Sequence, residues 1–169
     1  MTLEQVIQIV GKGAVKETKR DDAVQLSTVP KPHSAFEFYV LIFSPKDGLL
    51  KIGAIGHDIN TNGFGEAVHD SFVEIRDAIS QTYGQPEHNF DFLQSGSIWK
   101  EPEDWMMGLL KEERTLAANW RTALPNRINL ILLEAKASST EKGYLSLGYE
   151  FDGWHEYADA IKKKAATVF

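Results

Sequence analysis

Asp58-Ile59-Asn60-Thr61-Asn62-Gly63 sets three oxygen-bearing side chains at alternate positions ahead of a glycine, the spacing that opens a calcium-binding loop. Alternate oxygens converge there because the chain coils around the cation. The second half departs from the pattern: the twelfth position is His69 where a bidentate glutamate belongs, and the segment ahead of Asp58 reads as a strand rather than a helix. Glu66 and Asp70 are the nearest substitute carboxylates. The same residue types also build a metal-free turn, since Asn and Asp side chains bond back to their own backbone, and this is the reading preferred for Asp58, Asn60 and Asn62.

His57 beside Asp58 and His69 beside Asp70 flank that loop as candidate bases or zinc ligands, but no His-Glu-x-x-His or comparable spacing accompanies them. Glu113 is the third candidate for catalysis. It falls among Leu109, Leu110, Leu116 and Ala117 on the apolar face of an expected helix, where a carboxylate needs a cationic partner or a chemical role. Other chemistries find no support. Gly-x-Ser-x-Gly and the phosphate-binding Gly-x-x-x-x-Gly-Lys-Ser/Thr are both missing, and zero cysteines exclude disulfides, thiolate metal sites and a cysteine nucleophile. No cofactor is therefore expected. A small hydrolase-like enzyme, or a calcium-binding protein using residues 56–70, stands as the alternative function.

The leading expectation is binding. Glu66, Asp70, Glu74 and Asp77 share one face of a predicted helix, either as a solvated ridge or as a surface that steers a basic partner. Trp99, in the loop segment Ser97-Ile98-Trp99-Lys100, is a candidate protein-binding anchor. A net charge of −6 disfavours a phosphate backbone as partner. The expectation is a small binding or regulatory protein that acts on a basic macromolecule, of the kind that neutralises a basic toxin or nuclease.

The elements that must carry these residues are organised around Phe36–Gly56, where two arms of aromatic and β-branched residues flank Ser44-Pro45-Lys46-Asp47-Gly48 as a β-hairpin. The first arm is apolar on both period-two faces apart from Glu37, as in a central strand. Ahead of it, Thr2 and Gln5 form a capping box for a short helix ended by Gly11, and Ala23 to Val29 reads as a short strand. Val68, Phe72, Ile75, Ile79 and Tyr83 make the stripe of a helix stopped by Gly84 and Pro86. Asn89 to Gln94 is a strand.

Pro102 with Glu103 and Asp104 starts a helix predicted to run to Thr122, burying Trp105, Met106, Leu109, Leu110, Leu116, Ala117 and Trp120. Arg127 to Ala137 and Tyr144 to Phe151 form a second hairpin, after which Asp152 caps a last helix buried through Trp154, Tyr157, Ala158 and Ile161. The order is α(β)ββαβαββα, which implies an α+β fold: a twisted, largely antiparallel sheet of five or six strands with three or four packed helices.

A length of 169 residues, with 43% hydrophobic and 25% charged positions, fits one globular domain over 1–169, in which 1–34 is an N-terminal helix and a connection, the lysine-rich stretch from Gly11 to Arg20 reading as solvated. No apolar run is long enough to cross a bilayer, and the first ten residues lack the pattern of a secretory signal. The expected location is cytoplasmic, without a membrane partner.

Overall fold

Period-two stretches recur along the chain between Ala23 and Phe151, and they assemble into one sheet. The computed structural model describes residues 1–166. In chain order the elements are α1 (Leu3–Val10), β1 (Val15–Glu17), β2 (Ala23–Leu26), β3 (Phe36–Ser44), β4 (Gly48–Gly56), β5 (Ile59–Asn60) and α2 (Glu66–Tyr83). They continue with β6 (His88–Leu93), α3 (Trp105–Leu110), β7 (Arg114–Trp120), β8 (Ile128–Ala137), β9 (Lys142–Phe151) and α4 (Trp154–Ala166).

The strands pair antiparallel in the order β1-β2-β3-β4-β9-β8-β7-β6, with β5 also on β9, so the sheet is two successive meanders joined at β4 and β9. Among the described residues, four helices and an α+β fold agree with expectation. The strand count does not: nine strands replace the five or six expected. Two of the additions are short. β1 lies in a lysine-rich stretch read as a solvated connection, and as an edge strand it uses charge to discourage further pairing; β5 extends the line of β4 after the break at His57 and Asp58.

The third addition corrects the helix predicted for 102–122. Only Trp105–Leu110 is α-helical; Glu112 turns the chain at φ 58°, and Arg114–Trp120 is a strand between β6 and β8. Leu116, Ala118 and Trp120 alternate onto one buried face, and Trp120 donates its indole N–H to the carbonyl of Gly84 at 2.8 Å. Apolar residues also sit on both faces of β7, which lets the strand mimic a helical stripe.

The expected hairpins and α2 form as their patterns dictate. Gly48 takes φ 73° in the β3–β4 turn, where Ser44 Oγ accepts the Asp47 N–H at 2.8 Å. The Thr2–Gln5 capping box opens α1, and Gly11 closes it. β2 ends at Leu26 rather than Val29. Val68, Phe72, Ile75 and Ile79 of α2 are buried against the face of the sheet that carries Ala118, Leu133 and Leu145. α1 lies on the same face nearer β2–β4, burying Val6, and its start is held by the Leu49 N–H donating to Met1 O at 2.8 Å.

α4 covers the opposite face. Trp154 lies 4.7 Å over the Lys51 ammonium, and Tyr157 donates to Asp22 at 2.9 Å. Asp152 faces Arg127 at 2.7 Å, and Gly153 precedes α4 at φ 87°, so the expected aspartate cap is instead a salt bridge. Among the described residues, no helix is long and apolar enough to cross a membrane.

The Asp22 contact yields an acid-stability test. Arg20 donates twice to Asp22, at 2.8 and 2.6 Å, and these bonds hold its carboxyl below the ordinary value of 3.8 despite partial burial, with help from Tyr157. A depressed folded pKa supplies stability above the unfolded value and loses it as pH falls through the folded one. Urea midpoints should therefore fall more steeply below about pH 4 in the wild type than in Asp22→Asn. Equal acid slopes would mean that the bonds are broken in solution.

Candidate functional site

α2 carries the acidic face that the sequence suggested. Eighteen helical residues with an apolar stripe at steps of four, three and four must turn the intervening positions outward, and Glu66, Asp70, Glu74 and Asp77 are all exposed. Asp77 is shared with Arg76, 2.7 Å away, whereas Glu66, Asp70 and Glu74 have no cationic partner among the described residues. A shallow recess of about 530 Å³ lies beside the first turns, lined by Asn60, Thr61, Asn62, Glu66, Ala67 and Asp70. A second, of about 220 Å³, is lined in part by His33, His57, Ser71 and Glu74. Carboxylates and carboxamides at such a surface accept hydrogen bonds from guanidinium and ammonium groups.

The three candidate catalytic residues are not brought together. His57 lines the second recess, which contains neither His69 nor Glu113. His69 is exposed on α2 with Nε2 4.0 Å from Asp91 of β6. Glu113 sits in the turn between α3 and β7 rather than on a helix, half-buried, and no cation or hydrogen-bond donor meets its carboxylate among the described residues. Its backbone does the positioning: its N–H donates to Gly108 O and its carbonyl accepts from Gln94. The expected ion pair is thus replaced by a turn that leaves the side chain at the rim of the core.

The loop ahead of α2 is organised by its own polar groups. Asp58 takes the Lys142 ammonium at 3.3 Å, Asn60 belongs to β5, and Asn62 Oδ1 accepts the Phe64 N–H at 3.1 Å as an Asx turn does. Among the described residues, no three His, Asp or Glu side chains gather as a metal site. Millimolar calcium should leave the melting temperature unchanged. A rise that Asp58→Ala abolishes would assign the loop to calcium, because a ligand of the folded form alone must stabilise it.

Trp99 is half-buried, its backbone N–H donating to Ser97 Oγ at 3.2 Å, and the neighbouring Ile98 is the side chain left outside at 74% exposure. Close by, Arg114 lies 5.7 Å from the Trp105 ring and 3.3 Å from Asp91, with its Nε buried and unpartnered. This cluster braces α3 against β6 and β7.

Sequence reasoning missed a cleft on the α1 side of the sheet, between α1, the 27–35 segment and the 121–127 loop. Two adjoining cavities of about 440 and 420 Å³ share Val29, Ile52, Asn126 and Phe151. Its walls come from six stretches of chain, so no local motif marks it. Tyr39 and Tyr149 line the second cavity, and burial, with the nearby phenols of Tyr83 and Tyr39, pushes the Tyr149 hydroxyl up to about 12. In comparison with known proteins, the chain matches no family model, no curated protein and no solved structure.

Proposed function

We propose that this protein binds a basic macromolecule through the outward face of α2, and that it acts by occupying that partner rather than by catalysis. The observation that carries this reading is the uncompensated row Glu66, Asp70 and Glu74, exposed at four-residue steps along a rigid helix. Carboxylates so placed attract a cationic surface from a distance, raising association rates by roughly 10- to 1,000-fold at low salt. The recesses beside Asp70 and Glu74 give arginine or lysine side chains of the partner places to settle. A protein that neutralises a basic toxin or nuclease is the class that this surface suits.

Capture from a lysate of the native cell on immobilised protein, eluted with a salt gradient, identifies the partner. With that partner, Glu66→Lys/Glu74→Lys should slow association about tenfold or more and change dissociation less. Affinity that stays constant from low to high salt would exclude the ridge as the contact surface.

A further inference from the structure

We infer that the cleft beside α1 is a binding site for a free, monomeric amphiphile with an anionic head, such as a medium-chain fatty acid. Each cavity falls within the roughly 300–1,000 Å³ usual for small-molecule sites, and their common wall residues make them two lobes of one channel.

The lobes differ in chemistry. The one beneath α1 has a floor of Leu26, Leu41 and Ile52 and a roof of Val6, Ile9 and Val10, an apolar sleeve for a hydrocarbon tail. Its charged side chains are Arg127 and Asp152, which neutralise each other at 2.7 Å, and Asp47, whose carboxylate is met by Ser44 Oγ at 3.2 Å. The other lobe carries Lys31 and His33 and, among the described residues, no carboxylate. Lys31 has no anionic partner among the described residues; His33 accepts the Ala35 N–H through Nδ1 at 3.2 Å, which leaves Nε2 to donate.

Two phenols complete the polar end. Tyr39 is only 7% exposed, and neither its hydroxyl nor that of Tyr149 has a hydrogen-bond partner among the described residues. Neither hydroxyl oxygen is sealed from solvent, so each is free to donate to an acceptor that enters the lobe. Tyr149 stays protonated far above neutrality, so it meets a ligand as a donor. Phenol donors, an unpaired ammonium and no acidic side chain together select an anion, and a carboxylate accepts from several donors at once. The rim beside them is held by Asn126 and Arg127, both at positive φ, in a backbone conformation that side chains rarely adopt.

Calorimetric titration of the full chain with decanoate, and separately with decyltrimethylammonium, tests this site. The expected result is saturable one-to-one binding of decanoate, with the cationic homologue bound at least about tenfold more weakly. Ile52→Trp, which fills the junction of the lobes, should abolish binding. Should that variant fail to fold, the exposed change Lys31→Glu and the small change Tyr149→Phe keep the test open, each expected to weaken decanoate about tenfold with the melting temperature retained. Absence of saturable decanoate binding overturns the inference, as does equal affinity for the two head groups. Decanoate binding unaltered in folded Ile52→Trp, or in both Lys31→Glu and Tyr149→Phe, places the ligand elsewhere and overturns it too. Because α2's acidic row lines neither lobe, Glu66→Lys/Glu74→Lys should leave decanoate binding unchanged.

Discussion

Gly65→Ala is expected to destabilise the protein by about 3 kcal/mol, combining roughly 1 kcal/mol for a left-handed backbone with 1–3 kcal/mol for overpacking. Gly65 sits at φ 70° immediately before α2, and a methyl group there would overlap the six-membered ring of Trp105. Neither side can yield cheaply. Trp105 opens α3 and stacks near Arg114, while the Met106 N–H is fixed to Gly63 O at 2.9 Å. The glycine therefore sets how closely α3 tucks beneath the start of the acidic helix.

Gly96→Ala is the matched control. Gly96 has φ 88° at the third position of a turn closed by the Ser97 N–H on Gln94 O, and a methyl group added there would meet nothing within 4 Å, so only the backbone cost of about 1 kcal/mol should appear. In thermal melts, a 169-residue chain should lose about 2–4 °C per kcal/mol, which separates the two variants clearly. Equal losses would mean that Trp105 does not rest on Gly65.

Lys51→Met should cost about 3 kcal/mol at neutral pH, because it strands a buried carboxylate. Lys51 and Glu150 face each other across the β4–β9 seam at 2.9 Å; the glutamate side chain is 9% exposed, and Trp154 closes over the ammonium. Removing only the cation leaves Glu150 without its counter-charge under α4. In Lys51→Met/Glu150→Leu most of the loss should return, because two apolar groups of similar size need no pairing. Urea unfolding of the wild type, both single variants and the double variant checks the cycle. Additive losses would show that the two charges do not interact.

How much of this can be read from the chain depends on whether the pattern is local. α2, the 36–56 hairpin and the 128–151 hairpin each carry their periodicity within one segment, so their faces and ends are legible. The acidic row is legible for the same reason. β7 is not. Leu116, Ala117 and Trp120 satisfy helical spacing as well as a two-sided strand does, and tertiary pairing with β6 and β8 decides the matter.

Glu113 is the visible symptom: a carboxylate in the middle of an apolar stripe marks a wrong period rather than a special residue. The turn at Glu112, just past the end of α3, is where the helical pattern breaks. The cleft cannot be read at all. Lys31, Tyr39, Ile52 and Tyr149 meet only because the sheet places β3, β4 and β9 side by side.

That adjacency also dictates an order of assembly. Within β1–β4 and within β6–β9, each strand pairs with its neighbour in sequence, and the short β3–β4 and β8–β9 turns let those pairs form on the microsecond scale of hairpins. The β4–β9 seam is different, joining Lys51 to Glu150 across 99 positions with α2 in between. Its loop-closure entropy must be met before any contact across it offers a return, which makes the seam the natural bottleneck of folding. If the seam closes after the transition state, Lys51→Met accelerates unfolding and leaves the refolding rate nearly untouched. If docking of the two meanders is the transition state itself, refolding slows instead, and a chevron plot of that one variant distinguishes the two histories.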